Sequence, residues 1–504
     1  MFETLTNLLY GFTVAITPMN ILYCLIGVVS GTIIGALPGL GPSAGLAVLL
    51  PITFGSDPVS GIIMLAGIYY GAMYGGSITS ILINTPGDSA AVMTTLDGYP
   101  LAQQGKAGPA MGMAAFSSFI GGTVSVIAFT FLAPALAKAA LSFGPPEYFA
   151  LMVLGLTTLA GMTGENPVKG FISALVGLFL AIIGLDLVTG MPRFTFGMIE
   201  LFSGIDFIPV AMGVFGIAEI ILASEEKVNI DGLKNADLRW RKLFPSAMDW
   251  ARSKWTIARG TAVGFFIGML PGAGATIASF ISYGMAKKAS KNPEEFGKGA
   301  IEGVAAPECA NNAASVGAFV PLLTLGVPGS ASTAILMGAL MMFGLRPGPM
   351  LFERNPDFVW GLIASMYVGN VILILMVLLF VPVFVRILQV PKATLNAVVL
   401  AFILVGAYSL NNSMFDVYLT IGFGFVGYFM KKLKYPGAPL VLALVLGQLL
   451  ETSMRQSLIL SEGSFGIFFA RPISTILMII AFGAIFIPVI KNMLQKGKTK
   501  KIAA

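Results

Sequence analysis

Long apolar segments recur along the chain, and their length is the first guide to its fold. Uninterrupted examples cover residues 359–385, 392–410, 413–430 and 472–490. A helix needs about 20 mostly apolar residues to cross the hydrocarbon core of a bilayer. The segments do not alternate between apolar and polar positions, as the strands of a membrane β-barrel would. The pattern therefore predicts an all-α polytopic membrane protein.

The chain also contains an internal repeat built on apolar segments that glycine and proline interrupt. Residues 31–51 (GTIIGALPGLGPSAGLAVLLP) resemble residues 264–284 (GFFIGMLPGAGATIASFISYG), and residues 83–91 (INTPGDSAA) resemble residues 326–333 (GVPGSAST). The matched positions include Pro38, Gly39 and Gly41 with Pro271, Gly272 and Gly274, and Pro86 and Gly87 with Pro328 and Gly329. We expect two broken segments in each repeat, in the same order.

The charges beside the repeats indicate how each repeat is oriented in the membrane. The loop between the broken segments is acidic in the first repeat (GSDP, 55–58) and rich in lysine in the second (AKKASKNPEEFGKG, 286–299). Because cytoplasmic loops are enriched in Lys and Arg, corresponding loops should lie on opposite faces, and the repeats are predicted to be inverted. Basic loops on both sides of residues 260–286 favour a re-entrant hairpin there over a straight span.

We divide the chain into five parts on this basis. The first membrane repeat covers residues 1–224 and the second covers 260–390, followed by C-terminal scaffold helices at 391–491 and a basic cytoplasmic tail at 492–504. Residues 225–259 form a basic loop that holds Trp240, Trp250 and Trp255. This loop is interpreted either as an amphipathic helix at the membrane interface or as a plain linker. No basic region precedes the first apolar run, so no cleavable signal peptide is expected.

The composition agrees with a membrane protein and excludes several functions. Hydrophobic residues make up 56% of the 504 residues and charged residues 11%, with a mean hydropathy of +0.87, whereas soluble domains average about 25% charged residues. The chain contains no histidine, which excludes catalytic pairs and relays that need His. It lacks a Walker A motif for ATP, and two cysteines do not make a zinc site. The net charge of +6 lies in loops beside apolar spans and does not indicate nucleic acid.

We call a point where glycine and proline interrupt an apolar segment a break. Breaks at membrane depth are where we expect a site for a polar solute. Unpaired backbone groups are tolerated in a membrane only where protein buries them or where they line a wet cavity. Half-helix N-termini attract anions, and freed carbonyl groups bind cations such as Na⁺. Four breaks fit this description, at 38–42, 84–89, 271–276 and 326–333, although a single break has a kinked or closely packed helix as its alternative. Their small polar side chains are Ser43, Asn84, Thr85, Ser89, Thr276, Ser330, Ser332 and Thr333.

Carboxylate and amide side chains near the breaks are candidates for ion coupling, since hard cations prefer oxygen ligands. Asp88 follows the second break, and Asp97 lies in LDGYP (96–100). Glu308, Asn311 and Asn312 belong to PECANN (307–312), which precedes the last break. Asp97 has the alternative role of capping a loop.

One arginine outside the breaks also needs an interpretation. Arg193, in TGMPRFTFG (189–197), is interpreted as an interfacial residue that pairs with Asp186 at the end of a helix. The alternative is that Arg193 faces an anionic solute.

These motifs together resemble one family of transport proteins. LPGLGP (37–42), GGSITSILINTPGDSA (75–90), LDGYPLA (96–102), PECANNAA (307–314) and GVPGSASTA (326–334) are similar to the large membrane subunit of the bacterial tripartite tricarboxylate transporters. The resemblance implies an inner-membrane secondary transporter of about twelve membrane segments that imports citrate or related carboxylates with Na⁺ or H⁺. It implies two partners, a small membrane subunit of about four helices and a periplasmic solute-binding protein, and no cofactor besides the coupling ion.

By the same resemblance, the second and fourth breaks cradle carboxylate groups, and the first and third complete an ion site. The solute-binding positions are then Ser43, Asn84, Thr85, Pro86, Gly87, Ser89, Pro328, Gly329, Ser330, Ser332 and Thr333. The ion-coupling positions are Pro38, Gly39, Gly41, Pro271, Gly272, Gly274, Thr276, Asp97, Glu308, Asn311 and Asn312. An elevator-like movement of the broken helices against the scaffold is implied by analogy. A uniporter or channel for small anions is the alternative, and a membrane-embedded enzyme is a more distant one.

Overall fold

The computed structural model describes residues 2–162, 166–186, 189–225, 238–270, 272, 274–387 and 390–483, and helices dominate them. The helices of the first half are α1 (Phe2–Ala15), α2 (Pro18–Ala36), α3 (Pro42–Leu49), α4 (Pro58–Ile83), α5 (Val92–Gln103), α6 (Ala107–Ala140), α7 (Pro145–Met162), α8 (Pro167–Ala181), α9 (Phe207–Ala211) and α10 (Ala218–Glu225). A π-helical stretch, Met212–Ile217, joins α9 to α10. Two short strands, β1 (Gly184–Leu185) and β2 (Pro192–Arg193), pair antiparallel before α9, with Gly184 opposite Arg193.

The second half has the same helical character. Its helices are α11 (Ala247–Gly268), α12 (Gly274–Ala289), α13 (Ile301–Gly317), α14 (Phe319–Leu325), α15 (Ala331–Met342), α16 (Pro349–Arg354), α17 (Pro356–Ile387), α18 (Lys392–Asn411), α19 (Met414–Lys432), α20 (Gly437–Leu460) and α21 (Ile467–Ala470). Helix α11 begins at Ala247, inside the predicted 225–259 loop, so Trp250 and Trp255 lie on this helix. Residues 226–237 of that loop and the tail from residue 484 lie outside the described residues.

Within the described part of the chain, seven helices are long and apolar enough to cross a membrane. They are Pro18–Ala36, Pro58–Ile83, Ala107–Ala140, Phe207–Glu225, Pro356–Ile387, Ala393–Asn411 and Gly437–Leu460. Shorter apolar helices accompany them, at Pro42–Thr53, Pro167–Ala181, Ala331–Met342 and Pro472–Gly483. The all-α class and the multi-pass membrane character are thereby confirmed. The total of about twelve membrane segments stays a prediction.

Glycines allow α2 to lie directly against α4. A Cβ at Gly31 would lie 2.4 Å from the carbonyl oxygen of Ile68, and one at Gly35 would lie 2.2 Å from that of Ala72. No real side chain tolerates such distances, so only glycine permits this approach. The increasing residue numbers on both helices show that α2 and α4 run in the same direction.

Helices α11 and α13 meet in the same way. A Cβ at Gly264 would lie 2.4 Å from the carbonyl oxygen of Ala310, and one at Gly268 would lie 2.3 Å from that of Ala314. Gly264 and Gly268 are the positions that the sequence alignment matches to Gly31 and Gly35 of α2. The two halves of the chain therefore share one helix-packing contact at equivalent positions.

At the breaks that follow α2 and α11 the chain turns back on itself. A Cβ at Gly260 on α11 would lie 2.7 Å from the hydroxyl oxygen of Ser282 on α12, so the two helices lie side by side and antiparallel. In the first half, a Cβ at Gly45 on α3 would lie 3.3 Å from the side chain of Ile34 on α2. Both pairs are folded-back helices joined at a glycine-rich turn.

The buried centre of the molecule consists of α4 and α13. All residues of α13 are buried, and α4 is buried from Ser60 to Leu82. Helices α2, α6, α11 and α12 pack around these two, while α7, α8 and α20 pack together elsewhere. Helices α10 and α19 pack against each other and reach the cavity described next.

Candidate functional site

All four predicted breaks border a single cavity of about 650 Å³. The lining residues from the breaks are, in chain order, Gly39, Gly41, Pro42 and Ser43; Pro86, Gly87, Asp88 and Ser89; Gly272, Gly274, Ala275 and Thr276; and Gly329, Ser330, Ala331 and Ser332. Pro271 lies outside the described residues. The fold thus brings together segments that are almost 300 residues apart in sequence.

Hydroxyl groups connect the breaks of the two repeats across the cavity. The Ser43 and Ser332 hydroxyl oxygens lie 3.1 Å apart, and those of Ser89 and Thr276 lie 2.7 Å apart. The first pair joins the break at 38–42 to the break at 326–333, and the second joins the break at 84–89 to the break at 271–276. Each pair therefore connects one repeat to the other. These crossed contacts join the four breaks into one site.

The breaks also share their unusual backbone conformations. Gly39 and Gly272, which are matched in the sequence alignment, have φ values of +85° and +83°. Asn84, at the end of α4, and Gly326, at the end of α14, have φ values of +54° and +69° and are also matched. Glycine adopts this left-handed region without strain, and asparagine is among the few other residues that tolerate it.

Helix N-termini supply the cavity with backbone N–H donors. Helices α3, α12 and α15 begin at its edge, and the turn Ser89–Ala91 leads from it into α5. Ser330 caps α15 by accepting a hydrogen bond from the Thr333 N–H at 3.3 Å. Asp88, at the matched position, accepts one from the Ala91 N–H at 3.1 Å. Such N-termini attract anions, because their unpaired N–H groups and the helix dipole are positive there.

Five predicted residues of the breaks themselves do not line the cavity. They are Pro38, Asn84, Thr85, Pro328 and Thr333. Thr85 donates a hydrogen bond to the Ile83 carbonyl, and the Thr333 hydroxyl accepts one from the Ser330 N–H at 2.8 Å. These residues shape the breaks, and their predicted contact with solute or ion stays a prediction.

Asp97 lies away from the cavity and is completely buried. One carboxylate oxygen accepts hydrogen bonds from the N–H groups of Gly297, Gly299 and Ala300, at 2.8–2.9 Å. The other accepts one from the Tyr283 hydroxyl at 2.8 Å. This arrangement favours the alternative in which Asp97 caps a loop, here the turn before α13. Its predicted part in ion coupling is not tested by these contacts.

Glu308 forms the centre of a second buried polar cluster, between α13, α5 and α6. Its carboxylate accepts hydrogen bonds from the hydroxyl of Thr94 and, at 3.2 Å, from the amide of Asn311. The Asn312 amide donates to the Asn311 side-chain oxygen at 2.7 Å, and its own side-chain oxygen has no hydrogen-bond partner. All the predicted PECANN side chains are therefore together, although none of them lines the cavity. Within the described residues, no group of three or more Cys, Asp or Glu side chains could hold a metal ion.

Two charged residues of the cavity were missed in the sequence. Lys431, in the last turn of α19, and Glu219, near the start of α10, form an ion pair, and both line the cavity. A signal was present, because Glu219 is the one charged residue of the apolar run 207–224. An isolated carboxylate within an apolar segment is a candidate functional residue in its own right.

Arg193 pairs with Asp186 as predicted, but the pair lies in the β1–β2 hairpin and not at the end of a helix. Arg193 does not line the cavity. Its guanidinium lies 3.4 Å from the Asp186 carboxylate and 2.8 Å from that of Glu451. Hydrogen bonding to Glu451 raises the pKa of Arg193 above its ordinary value, so this residue keeps its charge. Arg455 also pairs with Asp186, at 2.8 Å, and the network fastens the β1–β2 hairpin to α20.

Comparison with known proteins identifies the family. The profile of the tripartite tricarboxylate transporter TctA family matches residues 21–442. An Agrobacterium vitis protein named "Uncharacterized 52.8 kDa protein in TAR-I ttuC' 3'region" is 44% identical over 497 residues, which is 98% of each chain. Another from the same organism, "Uncharacterized protein in TAR-II ttuC' 3'region", is 41% identical over 233 residues, 46% of this chain and 96% of its own length. No solved structure matches the chain. The resemblance of the motifs is thus confirmed, and the chain belongs to the tripartite tricarboxylate transporter TctA family.

Proposed function

We propose that this chain is the large membrane subunit of a solute-binding-protein-dependent secondary transporter that imports tricarboxylates or related carboxylates together with Na⁺ or H⁺. The observation that carries the proposal is the convergence of four helix breaks on one cavity. Helix N-termini, small hydroxyl groups and one lysine border the same space, beside the carboxylates of Asp88 and Glu219. The N–H groups, the hydroxyl groups and the lysine suit a solute with several carboxylate groups.

The inverted repeat is part of the proposal. Matched glycine contacts, matched left-handed residues and crossed hydroxyl contacts support a pseudo-twofold relation between the two halves. The acidic and lysine-rich loops at matched positions support opposite orientations in the membrane. In transporters of this design, the solute site lies near the bilayer midplane, where the repeats meet, and the folded-back helix pairs α2–α3 and α11–α12 would be re-entrant.

The coupling ion is assigned to the polar cluster around Glu308. A carboxylate with no exposed surface, whose hydrogen-bond partners are hydroxyl and amide groups, needs a cation or a proton to be stable there. The unpartnered side-chain oxygen of Asn312 adds a ligand that a bare cation can use. The lack of histidine and the abundance of oxygen groups favour Na⁺ over H⁺.

The experiment is reconstitution of this chain with its small membrane subunit and a matching periplasmic binding protein in liposomes. Uptake of labelled citrate is followed with an inward Na⁺ gradient, with a proton gradient and with neither. We expect uptake that needs both the binding protein and a cation gradient. Glu308→Gln should abolish the response to the gradient, whereas Glu353→Gln, at an exposed position on α16, should leave it unchanged. Uptake that needs neither the binding protein nor a cation gradient would indicate a uniporter or channel and not a symporter.

A further inference from the structure

The cavity contains one ion pair that belongs to none of the four breaks. Lys431 and Glu219 come from α19 and α10, which pack along each other beside the breaks. Among the described residues that line the cavity, Lys431 is the one cationic side chain. Its side chain is 38% exposed and that of Glu219 is 15% exposed, so solvent and solute can reach the lysine.

The Glu219 carboxylate also points towards the first break. A Cβ at Gly39 would lie 3.9 Å from the second carboxylate oxygen of Glu219, so this group reaches from α10 to the turn that precedes α3. An internal carboxylate therefore lies between the lysine and a helix break, where a carboxylate solute would be attracted. The cavity lysine is thus already paired with a carboxylate of the protein itself, and Asp88 of the second break adds another carboxylate to the lining.

A second ion pair between the same two helices serves as a comparison. Lys432 pairs with Glu225, which also accepts a hydrogen bond from the Tyr428 hydroxyl at 2.6 Å. Both side chains are exposed, at 46% and 42%, and neither residue lines the cavity. Of these two pairs between α10 and α19, only the Lys431–Glu219 pair faces the cavity.

We propose that Lys431 binds a carboxylate group of the solute and that Glu219 is the internal counter-ion which this carboxylate displaces. The inference rests on the proposed function and adds a named cationic contact to it. An ammonium group offers three donors and pairs readily with a carboxylate of either origin. Competition by Glu219 would weaken solute binding, and loss of Lys431 would weaken it more.

The two members of the pair should therefore change affinity in opposite directions. Glu219→Gln removes the competitor and should lower the citrate KM about two- to fivefold, since partly exposed ion pairs are worth up to about 1 kcal/mol. Lys431→Gln should raise the KM about tenfold or more, because a carboxylate contact in the cavity is lost. Lys431→Arg should recover part of that loss. A purely structural pair would make both substitutions harmful or both neutral.

The measurement is citrate uptake by the reconstituted complex, together with stabilisation of the purified complex by citrate in thermal unfolding. Lys432→Gln is the matched control and should leave the KM and the citrate stabilisation unchanged. In the double variant, Glu219→Gln should no longer improve affinity, because its effect acts through Lys431. Equal effects of Lys431→Gln and Lys432→Gln would overturn the inference.

The thermal unfolding measurement separates this inference from the proposed function. Citrate stabilisation that depends on Lys431, without gradient-driven uptake, would contradict the transport mechanism and retain the lysine contact. Gradient-driven uptake that ignores Lys431 would contradict the lysine contact and retain the transport mechanism. A wild-type complex that neither binds nor transports any di- or tricarboxylate would overturn both.

Discussion

At the scale of single residues, the cavity depends on positions where a side chain would collide with backbone. A Cβ at Gly87 would lie 1.9 Å from the carbonyl oxygen of Gly35 and 2.7 Å from the Cα of Gly76. The matched glycine of the other repeat, Gly329, is less crowded, since its Cβ would lie 3.5 Å from the carbonyl oxygen of Gly268. The two breaks thus have the same sequence, Pro-Gly, but different tolerance for added volume.

This difference gives a paired prediction. Gly87→Ala should destabilise the protein by about 1–3 kcal/mol, because the added methyl group collides with backbone atoms of both α2 and α4. Gly329→Ala should change stability by no more than about 0.5 kcal/mol, since its contact is an ordinary van der Waals distance. Thermal unfolding of the purified protein checks both. Equal destabilisation by the two substitutions would contradict the packing described for the second break.

At the scale of elements, the folded-back pairs α2–α3 and α11–α12 set the geometry of the site. Helix α12 returns along α11, with Gly260 opposite Ser282, and the turn between them borders the cavity. If the second pair is re-entrant, residues before α11 and after α12 lie on the same face of the membrane. The proposed inversion of the repeat would put the corresponding loop of the first half on the opposite face.

Labelling of single cysteines tests this arrangement. Cys24 and Cys309 are both buried and would first be replaced by alanine. Met248→Cys and Lys291→Cys, both at exposed positions, should react with a membrane-impermeant thiol reagent from the cytoplasmic face. Ser56→Cys, in the acidic loop before α4, should react from the periplasmic face. Labelling of residues 248 and 291 from opposite faces would show that 260–286 crosses the membrane and would contradict the hairpin.

At the scale of the whole molecule, the sequence predicted which segments break but not how they meet. Proline and glycine are local signals, so the four breaks could be located from short motifs. The contacts of Ser43 with Ser332 and of Ser89 with Thr276 join residues far apart in the chain, which no local pattern encodes.

The same limit explains why the position of some candidate residues relative to the cavity, and the part of Lys431 in it, did not follow from the sequence. Asp97 and the PECANN side chains are near breaks in sequence but are buried away from the cavity. Lys431 directly follows the apolar segment 413–430, and a basic residue at that place is a common topology signal. Only the packing of α19 on α10 brings Lys431 beside Glu219 and the first break. A lysine at the end of a helix can therefore be recognised as a site residue only once the tertiary structure is known.

The central claim is that the cavity among the four breaks is where the solute binds. A second cavity, of about 510 Å³ and lined by Glu200, Asp206 and Asp416, provides an internal comparison. Ser332 lines the first cavity and Ser203 lines the second. Either serine can be replaced by cysteine in a chain without its native thiols, and each cysteine can be alkylated in the reconstituted complex.

The decisive measurement is the alkylation rate of Ser332→Cys with and without citrate and Na⁺, beside that of Ser203→Cys. Citrate should slow the reaction at position 332 severalfold, because a bound solute covers the fourth break, and should leave position 203 unchanged. An unchanged rate at position 332, in a complex that still transports citrate, would contradict the assignment of this cavity as the solute site.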